Sequence, residues 1–380
     1  MVSIEPRKAI RVLHSAAPSS VDRQGMIRLD MNENTSGAAP TLVRNLKEGI
    51  TGRRLGTYPD YEAARAKLAR HVDLSPKELL LTNGIDDAIK LICDAFVDPG
   101  DTLLIPSLTF PMYQFFHSVA GGRTEVLRYD ENLRFPVERA LATLKRGRVR
   151  WLALANPNNP TGTLIAQDDL KAMLKAAPGT LVLADEAYFD YCGETVLPWI
   201  RRFPNLLVAR TFSKAYGLAG LRLGLLFART ELVVWMRRAQ AVFPVNSLAV
   251  AAGLKAIRRP RDVAMHVREV FLNRHRLCGC LDSLGIPYAS SSANFVFACV
   301  GARGPEIARR LAAQRILVRH WSDDPMLRPY FRIGIGTRTE TSRLIRVLEG
   351  LRNLIEPQDP VLAWRRAAQY SPVQVRIRSG

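Results

Sequence analysis

No apolar run in this 380-residue chain reaches the roughly 18 residues needed to span a bilayer. The first eleven residues carry charge without the apolar stretch of a secretory leader, so a cytoplasmic protein without a membrane partner is expected. Cysteine is sparse: Cys93, Cys192, Cys278, Cys280 and Cys299 are odd in number and show no paired Cys-x-x-Cys spacing. That argues against a disulfide framework or a zinc site and for reduced thiols. The six histidines include no His-x-x-x-His pair, so no metal is expected. Internal repeats and low-complexity tracts are also lacking. Acidic residues are in deficit, 35 Asp+Glu against 54 Lys+Arg, a formal net charge of +19. Such a field attracts nucleic acid, acidic membranes or phosphorylated small molecules. The basic pairs, Arg237-Arg238 and Arg309-Arg310 among them, are dispersed and have no interleaved aromatics. A solvated, arginine-rich surface is therefore expected, with no nucleic-acid partner and an advantage for an anionic substrate.

What is present centres on residues 211–224, Thr-Phe-Ser-Lys-Ala-Tyr-Gly-Leu-Ala-Gly-Leu-Arg-Leu-Gly. Lys214 reads either as a surface lysine in a glycine-rich loop or as an amine that bonds to an aldehyde cofactor. The second reading needs a pocket that lowers its pKa by burial or nearby positive charge. Arg222 would supply such charge, and with the hydroxyls of Thr211 and Ser213 it forms a seat for a phosphate dianion.

An apolar content of 47% supports a large domain and a smaller one. Short strands rich in leucine and β-branched residues are expected at 79–82, 102–106, 124–129, 149–155, 180–184, 206–211 and 223–228, with helices between several of them, notably 167–177. This is the pattern of a mostly parallel α/β sheet covered on both faces, with ligands at its strand ends. Asn83-Gly84 feeds a helix whose Ile85, Ile89, Ile92 and Phe96 share one face, and its N-terminus is a candidate anion site. Asn159, between Pro157 and Pro160, follows one strand, and Asp185 ends another. Each reads either as ordinary turn or capping chemistry or as a fixed site residue; a carboxylate at an apolar strand end calls for a cationic partner. The polar run 30–37 reads as an arm or flap. Helices broken near Pro244 and Pro260 lead to a smaller α+β unit with strands near 295–299, 316–319 and 330–335 and helices near 305–314 and 340–354. The boundaries expected are an arm at 1–35 that contributes to the small domain, a large domain at 36–270, a small domain at 271–356 and a basic, weakly patterned tail at 357–380.

Over about residues 28–355 these motifs resemble the fold-type I pyridoxal-phosphate enzymes, specifically the class I/II aminotransferases and their histidinol-phosphate branch. The resemblance implies a mostly parallel seven-stranded sheet with helices on both faces, a smaller α+β C-terminal domain and pyridoxal 5'-phosphate as cofactor. It implies that Lys214 carries the cofactor, Asp185 pairs with its ring nitrogen, Tyr188 and Asn159 bind the ring hydroxyl, and Phe110 stacks on the ring. Gly84, the amides of Ile85 and Asp86, Thr211, Ser213 and Arg222 would hold the phosphate. Tyr58, in Tyr-Pro-Asp, would reach the phosphate of the neighbouring subunit of a homodimer, and Arg332 and Asn34 would bind substrate. The partners implied are an amino donor and a 2-oxo acid. Thr35, Ala38 and Leu108 stand where relatives usually have proline. These departures lie near the substrate, which leaves it open between histidinol phosphate and an aromatic or other amino acid. A decarboxylase or lyase of the threonine-phosphate decarboxylase kind shares most of the motifs. An aminotransferase-like regulator would need a DNA-binding module, and none is seen before Tyr58.

Overall fold

Strands without polar alternation must be covered on both faces, and the computed structural model shows how this is done. It describes residues 4–11, 13, 22–359, 363, 364 and 367. In chain order the strands are β1 Ile27–Leu29, β2 Leu79–Asn83, β3 Thr102–Pro106, β4 Arg123–Leu127, β5 Trp151–Ala155 and β6 Leu181–Asp185. They continue as β7 Leu206–Thr211, β8 Leu223–Ala228, β9 Phe295–Cys299, β10 Ile316–His320 and β11 Tyr330–Gly334. The larger sheet runs β2-β8-β7-β6-β5-β3-β4. All its neighbours pair in parallel except β8, which is antiparallel to both β2 and β7.

Side chains alternate across a strand, and here the two faces enter different apolar clusters. Leu152 and Leu154 of β5 belong with Leu170, Met173 and Leu174 of helix Gln167–Ala176. Trp151, Ala153 and Ala155 belong with Ile85, Ile89 and Ile92 of helix Gly84–Phe96. The expected apolar face of that helix is thus buried against the sheet, with Phe96 at its margin.

The second sheet runs β1-β10-β11-β9. β1 lies parallel to β10 at one edge, so the start of the chain is built into the smaller sheet. Helix Pro260–Ser283 carries the chain between the sheets without interruption. Proline in its first turn forfeits a hydrogen bond that this position does not make, which is why Pro260 starts this helix. Residue 270, the boundary expected from sequence, lies inside the helix, and Val270 packs in the core of the smaller sheet. The strands expected at 102–106, 206–211, 223–228 and 295–299 keep those bounds, the helix expected to end at 354 ends at Gly350, and other element ends shift by one or two residues. β4, for example, ends at Leu127, whose carbonyl accepts from the Ser107 amide at 2.8 Å.

The run 30–37 is no free flap. Asn32 is buried, Thr35 Oγ1 hydrogen-bonds Glu340 Oε2, and Arg23 Nη2 pairs with both Asp30 and Glu33. Most of the expected basic tail, 360–362, 365–366 and 368–380, lies outside the described residues. Among those described, no helix is long and apolar enough to cross a membrane.

Candidate active site

Because β8 is antiparallel, it begins where β2 and β7 end. Thr82 and Thr211 both face Gly224, and Asn83 faces Leu223. This gathers Gly84 with Thr211, Ser213 and Arg222 at one end of the sheet from two distant parts of the sequence. Gly84 has φ +76°, a backbone that favours glycine, and a Cβ there would stand 2.5 Å from Arg222 Nη2 and push that guanidinium aside. Arg222 is itself left-handed at φ +58° and reaches Asp86 Oδ2 at 3.1 Å. Thr211 Oγ1 lies 2.9 Å from Ser213 Oγ and accepts from the Ser213 amide at 3.1 Å. The helix starting at Gly84 adds first-turn amides, which have no acceptor within the helix, and the positive end of its dipole. Amides, two hydroxyls and a guanidinium converge as an anion seat.

Ile85, Asp86, Thr211, Ser213 and Arg222 line a cavity of about 240 Å³ together with Phe110, Asn159, Asp185, Tyr188, Lys214 and Arg332, with Gly84 just behind the lining. Asp185 closes it at the end of β6. Tyr113 Oη donates to Asp185 Oδ2 at 2.5 Å and the Ala187 amide to Oδ1 at 3.0 Å. Burial raises the carboxyl pKa to about 6 against the help of both donors. Among the described residues no cation is paired with Asp185, whereas the adjacent Glu186 has Arg210 at 2.9 Å. A buried carboxylate that faces a cavity without a cation calls for one from a ligand.

Lys214 Nζ donates to the Met31 carbonyl at 3.0 Å and sits 5.9 Å from the Tyr188 ring centre. Burial lowers its pKa to about 8, and the positive fields of Arg332 and Arg222 act in the same direction. A substantial fraction of the amine is then neutral near physiological pH. Tyr188 Oη accepts from Asn32 Nδ2 at 2.9 Å. Asn159 Oδ1 accepts from Arg332 Nη1 at 2.6 Å, and the Asp30 carbonyl accepts from Nη2 at 2.5 Å. Burial brings the Arg332 pKa down to about 10. The Asn156–Pro157 and Asn159–Pro160 peptides are both cis. Asn158, between them, donates to the Leu108 carbonyl at 2.7 Å and accepts from Thr109 Oγ1 at 3.0 Å, fixing the segment that presents Phe110.

Two residues expected from the resemblance lie outside this cavity. Tyr58 is exposed and stacks on Phe243 at 3.8 Å. Asn34 donates to the Ala215 carbonyl at 3.2 Å and lines a separate cavity of about 360 Å³ behind the Lys214 loop. Met31 and Asn32 take the place in the lining where Asn34 was expected.

Three contributors were missed from sequence. Tyr113 and Asn32 support Asp185 and Tyr188, and their only sequence signal is that Asn32 stands in the polar run 30–37 and Tyr113 three residues past Phe110. Arg319 on β10 is the cross-strand partner of Arg332 on β11, and both border a second cavity of about 250 Å³ that shares Phe110 and Asn159 with the first.

The family profile described as Aminotransferase class I and II matches residues 24–348. A histidinol-phosphate aminotransferase of Caldanaerobacter subterraneus subsp. tengcongensis is 33% identical over 324 residues, covering 84% of this chain and 92% of that protein. One from Chromohalobacter salexigens is 33% identical over 348 residues, covering 90% and 97%. Among solved structures, histidinol-phosphate aminotransferase from Sinorhizobium meliloti in complex with pyridoxal-5'-phosphate superposes with a TM-score of 0.84 at 26% identity, covering 93% of this chain and 98% of that one. The residues here fit that cofactor: an anion seat cleared by Gly84, a lone buried carboxylate for a ring nitrogen, and an amine of lowered pKa. The chain belongs to the class I and II aminotransferases, transaminases dependent on pyridoxal 5'-phosphate.

Proposed function

We propose that this aminotransferase takes its amino group from histidinol phosphate and passes it to a 2-oxo acid, as a cytoplasmic homodimer. The observation that carries the substrate is the cross-strand pair Arg319–Arg332 beside the cofactor cavity. Two guanidinium groups on one sheet face repel each other, and the charge of Arg319 adds to the lowering of the Arg332 pKa. A phosphate dianion relieves this, and the names of the relatives point to the same donor.

In this reading Gly84, the amides of Ile85 and Asp86, Thr211, Ser213 and Arg222 hold the cofactor phosphate. Asp185 faces the ring nitrogen, Phe110 covers the ring, and Tyr188 with Asn159 binds its hydroxyl. Bound there, pyridoxal 5'-phosphate supplies a carbonyl carbon that bonds to nitrogen and a ring that takes up electrons when Cα loses its proton. Lys214 Nζ, once free, would take that proton from Cα and return it to the former carbonyl carbon on the far side of the nitrogen, which needs an amine with a pKa near neutrality. Asp185, kept ionised by the cation opposite it, keeps the ring nitrogen protonated. Arg332 binds the donor phosphate in one half-reaction and the 2-oxo acid carboxylate in the other. A planar fork serves both anions, whereas lysine offers a point charge.

Arg332→Lys should therefore weaken both half-reactions, and Arg332→Ala should lower kcat/KM for both by roughly 10²- to 10³-fold, since a desolvated anion loses its partner. The deciding measurement is the single-turnover change in cofactor absorbance with histidinol phosphate, phenylalanine, tyrosine, arginine and threonine phosphate, with products identified by mass. If histidinol phosphate gives no change while another amine does, the proposed donor is wrong and only transamination stands. A decarboxylated product from threonine phosphate would point to a different bond being broken.

The dimer reading rests on the Tyr-Pro-Asp motif at Tyr58 and on the exposure of Tyr58 among other exposed apolar side chains, Leu55, Val242 and Phe243. Lys214→Ala and Tyr58→Phe chains are each expected to be weak alone. Mixed, they should recover part of the activity, because one site per heterodimer carries neither change. A monomer at working concentration contradicts this.

A further inference from the structure

Trp364 lies beyond residues 24–348 matched by the family profile, in a stretch without sequence periodicity, yet it is buried. Its indole stacks on Phe297 with centroids 6.1 Å apart and on Tyr330 at 6.4 Å, and those two rings stack on each other at 5.2 Å. The Tyr330 hydroxyl donates to the carbonyl of Ala363, next to Trp364. The two rings are also the neighbours of Arg332 in the sheet. Tyr330 precedes it by two residues on β11 and so shares its face, and Phe297 is its Cα partner on β9. Arg332 is held at its tips by Asn159 and Asp30, but its Nε has no partner. The guanidinium lies 5.7 Å from the Phe295 ring centre, and Tyr330 and Phe297 are the side chains beside it on the same sheet face. On the other side, Phe297 meets Trp321 edge-on at 6.2 Å. Trp321, Leu108 and Leu327 border the cavity beyond Arg332, and Leu108 and Leu327 share an apolar cluster with Trp364.

We propose that Trp364 is a positioning residue for the substrate anion. Its indole braces the Phe297–Tyr330 pair and so fixes both the orientation of Arg332 and the wall of the side cavity. The inference rests on the substrate role given to Arg332 above. It assigns to the C-terminal segment a part in substrate binding and none in holding the cofactor, whose seat lies on the larger sheet.

The test is steady-state kinetics on full-length holoenzyme carrying Trp364→Ala, Trp364→Leu or Trp364→Phe, with Arg332→Ala measured alongside. Alanine and leucine should raise KM for both the amino donor and the 2-oxo acid by about tenfold, because a small displacement of a positioning group is costly. Phenylalanine, which restores a flat ring, should recover most of the loss, and kcat and cofactor content should change by less than about twofold. Leucine keeps the test readable if the alanine variant does not fold. A folded leucine variant with unchanged KM for both substrates, or one whose only defect is lower melting temperature or cofactor content, overturns the inference. If KM responds to Arg332→Ala and not to Trp364→Leu, the role of Arg332 survives and that of Trp364 falls. If Arg332→Ala itself leaves KM unchanged, both fall.

Discussion

Lys214→Ala is expected to lower turnover by about 10⁴-fold, the upper range for removing a general base, while the protein still folds and holds the cofactor phosphate. In the unaltered protein, borohydride should fix the cofactor mass to the peptide containing Lys214, and attachment anywhere else sinks the assignment. The protein without cofactor offers an independent check. The folded pKa of Lys214, about 8, lies below the ordinary lysine value, so the unfolded chain holds this proton more tightly. The resulting cost to folding is full below pH 8 and fades as the pH rises towards the ordinary value near 10.4. Alanine should therefore raise the melting temperature of the cofactor-free protein at pH 7, and the gain should shrink as the pH rises. For the same reason, covalent loading should speed up with pH until about 8 and then level off.

Asp185→Ala has the next largest expected effect, a loss of about 10³-fold in the proton-transfer step, comparable to removing a preorganised electrostatic partner of the transition state. Asp185→Asn should be nearly as damaging, since it keeps the shape and the contact with Tyr113 but not the charge. Tyr113→Phe should cost far less, because it removes one of two donors and leaves the carboxylate in place. Single-turnover rates with a saturating amine separate these cases. Glu186 is the natural comparison: it is equally buried but already paired with Arg210 and hydrogen-bonded to Thr195 and the Val196 amide. An Asp185→Ala enzyme that keeps most of its turnover would show that the wrong carboxylate had been chosen.

Asp185 and Thr211 were legible because each ends a short apolar strand, where a polar residue breaks a visible pattern, and Ser213, Lys214 and Arg222 because they stand as polar residues in the short loop between two such strands. The larger sheet was legible for the same reason, since strands buried on both faces leave uninterrupted runs. Tyr113 was not, because it is one apolar position of a helix, and its role depends on a hydrogen bond across 72 residues of sequence. Asn32 was passed over for Asn34. The two are alike in type, and they differ in the structure, where Asn32 has a left-handed backbone, φ +53°, and is buried. The Arg319–Arg332 pairing depends on the register of two strands, which composition does not encode. The expected boundary at 270 fell inside a helix because a continuous helix carries no turn signal. Trp364 could not be placed, since a single buried aromatic in a basic stretch has no period to reveal it.

The pairing of Thr211 and Gly224 closes residues 212–223 into a ring of fixed circumference, and both Lys214 and Arg222 are on it. The span from amine to guanidinium is thus a covalent constant of the chain, and one residue inserted between them would misplace either the amine or the phosphate ligand. A lineage that acquires a new donor therefore has little freedom on this ring. Its variation should accumulate on β9 to β11 and in the segments packed behind them, so that members acting on different amines would share the edge of the larger sheet and diverge along the smaller one.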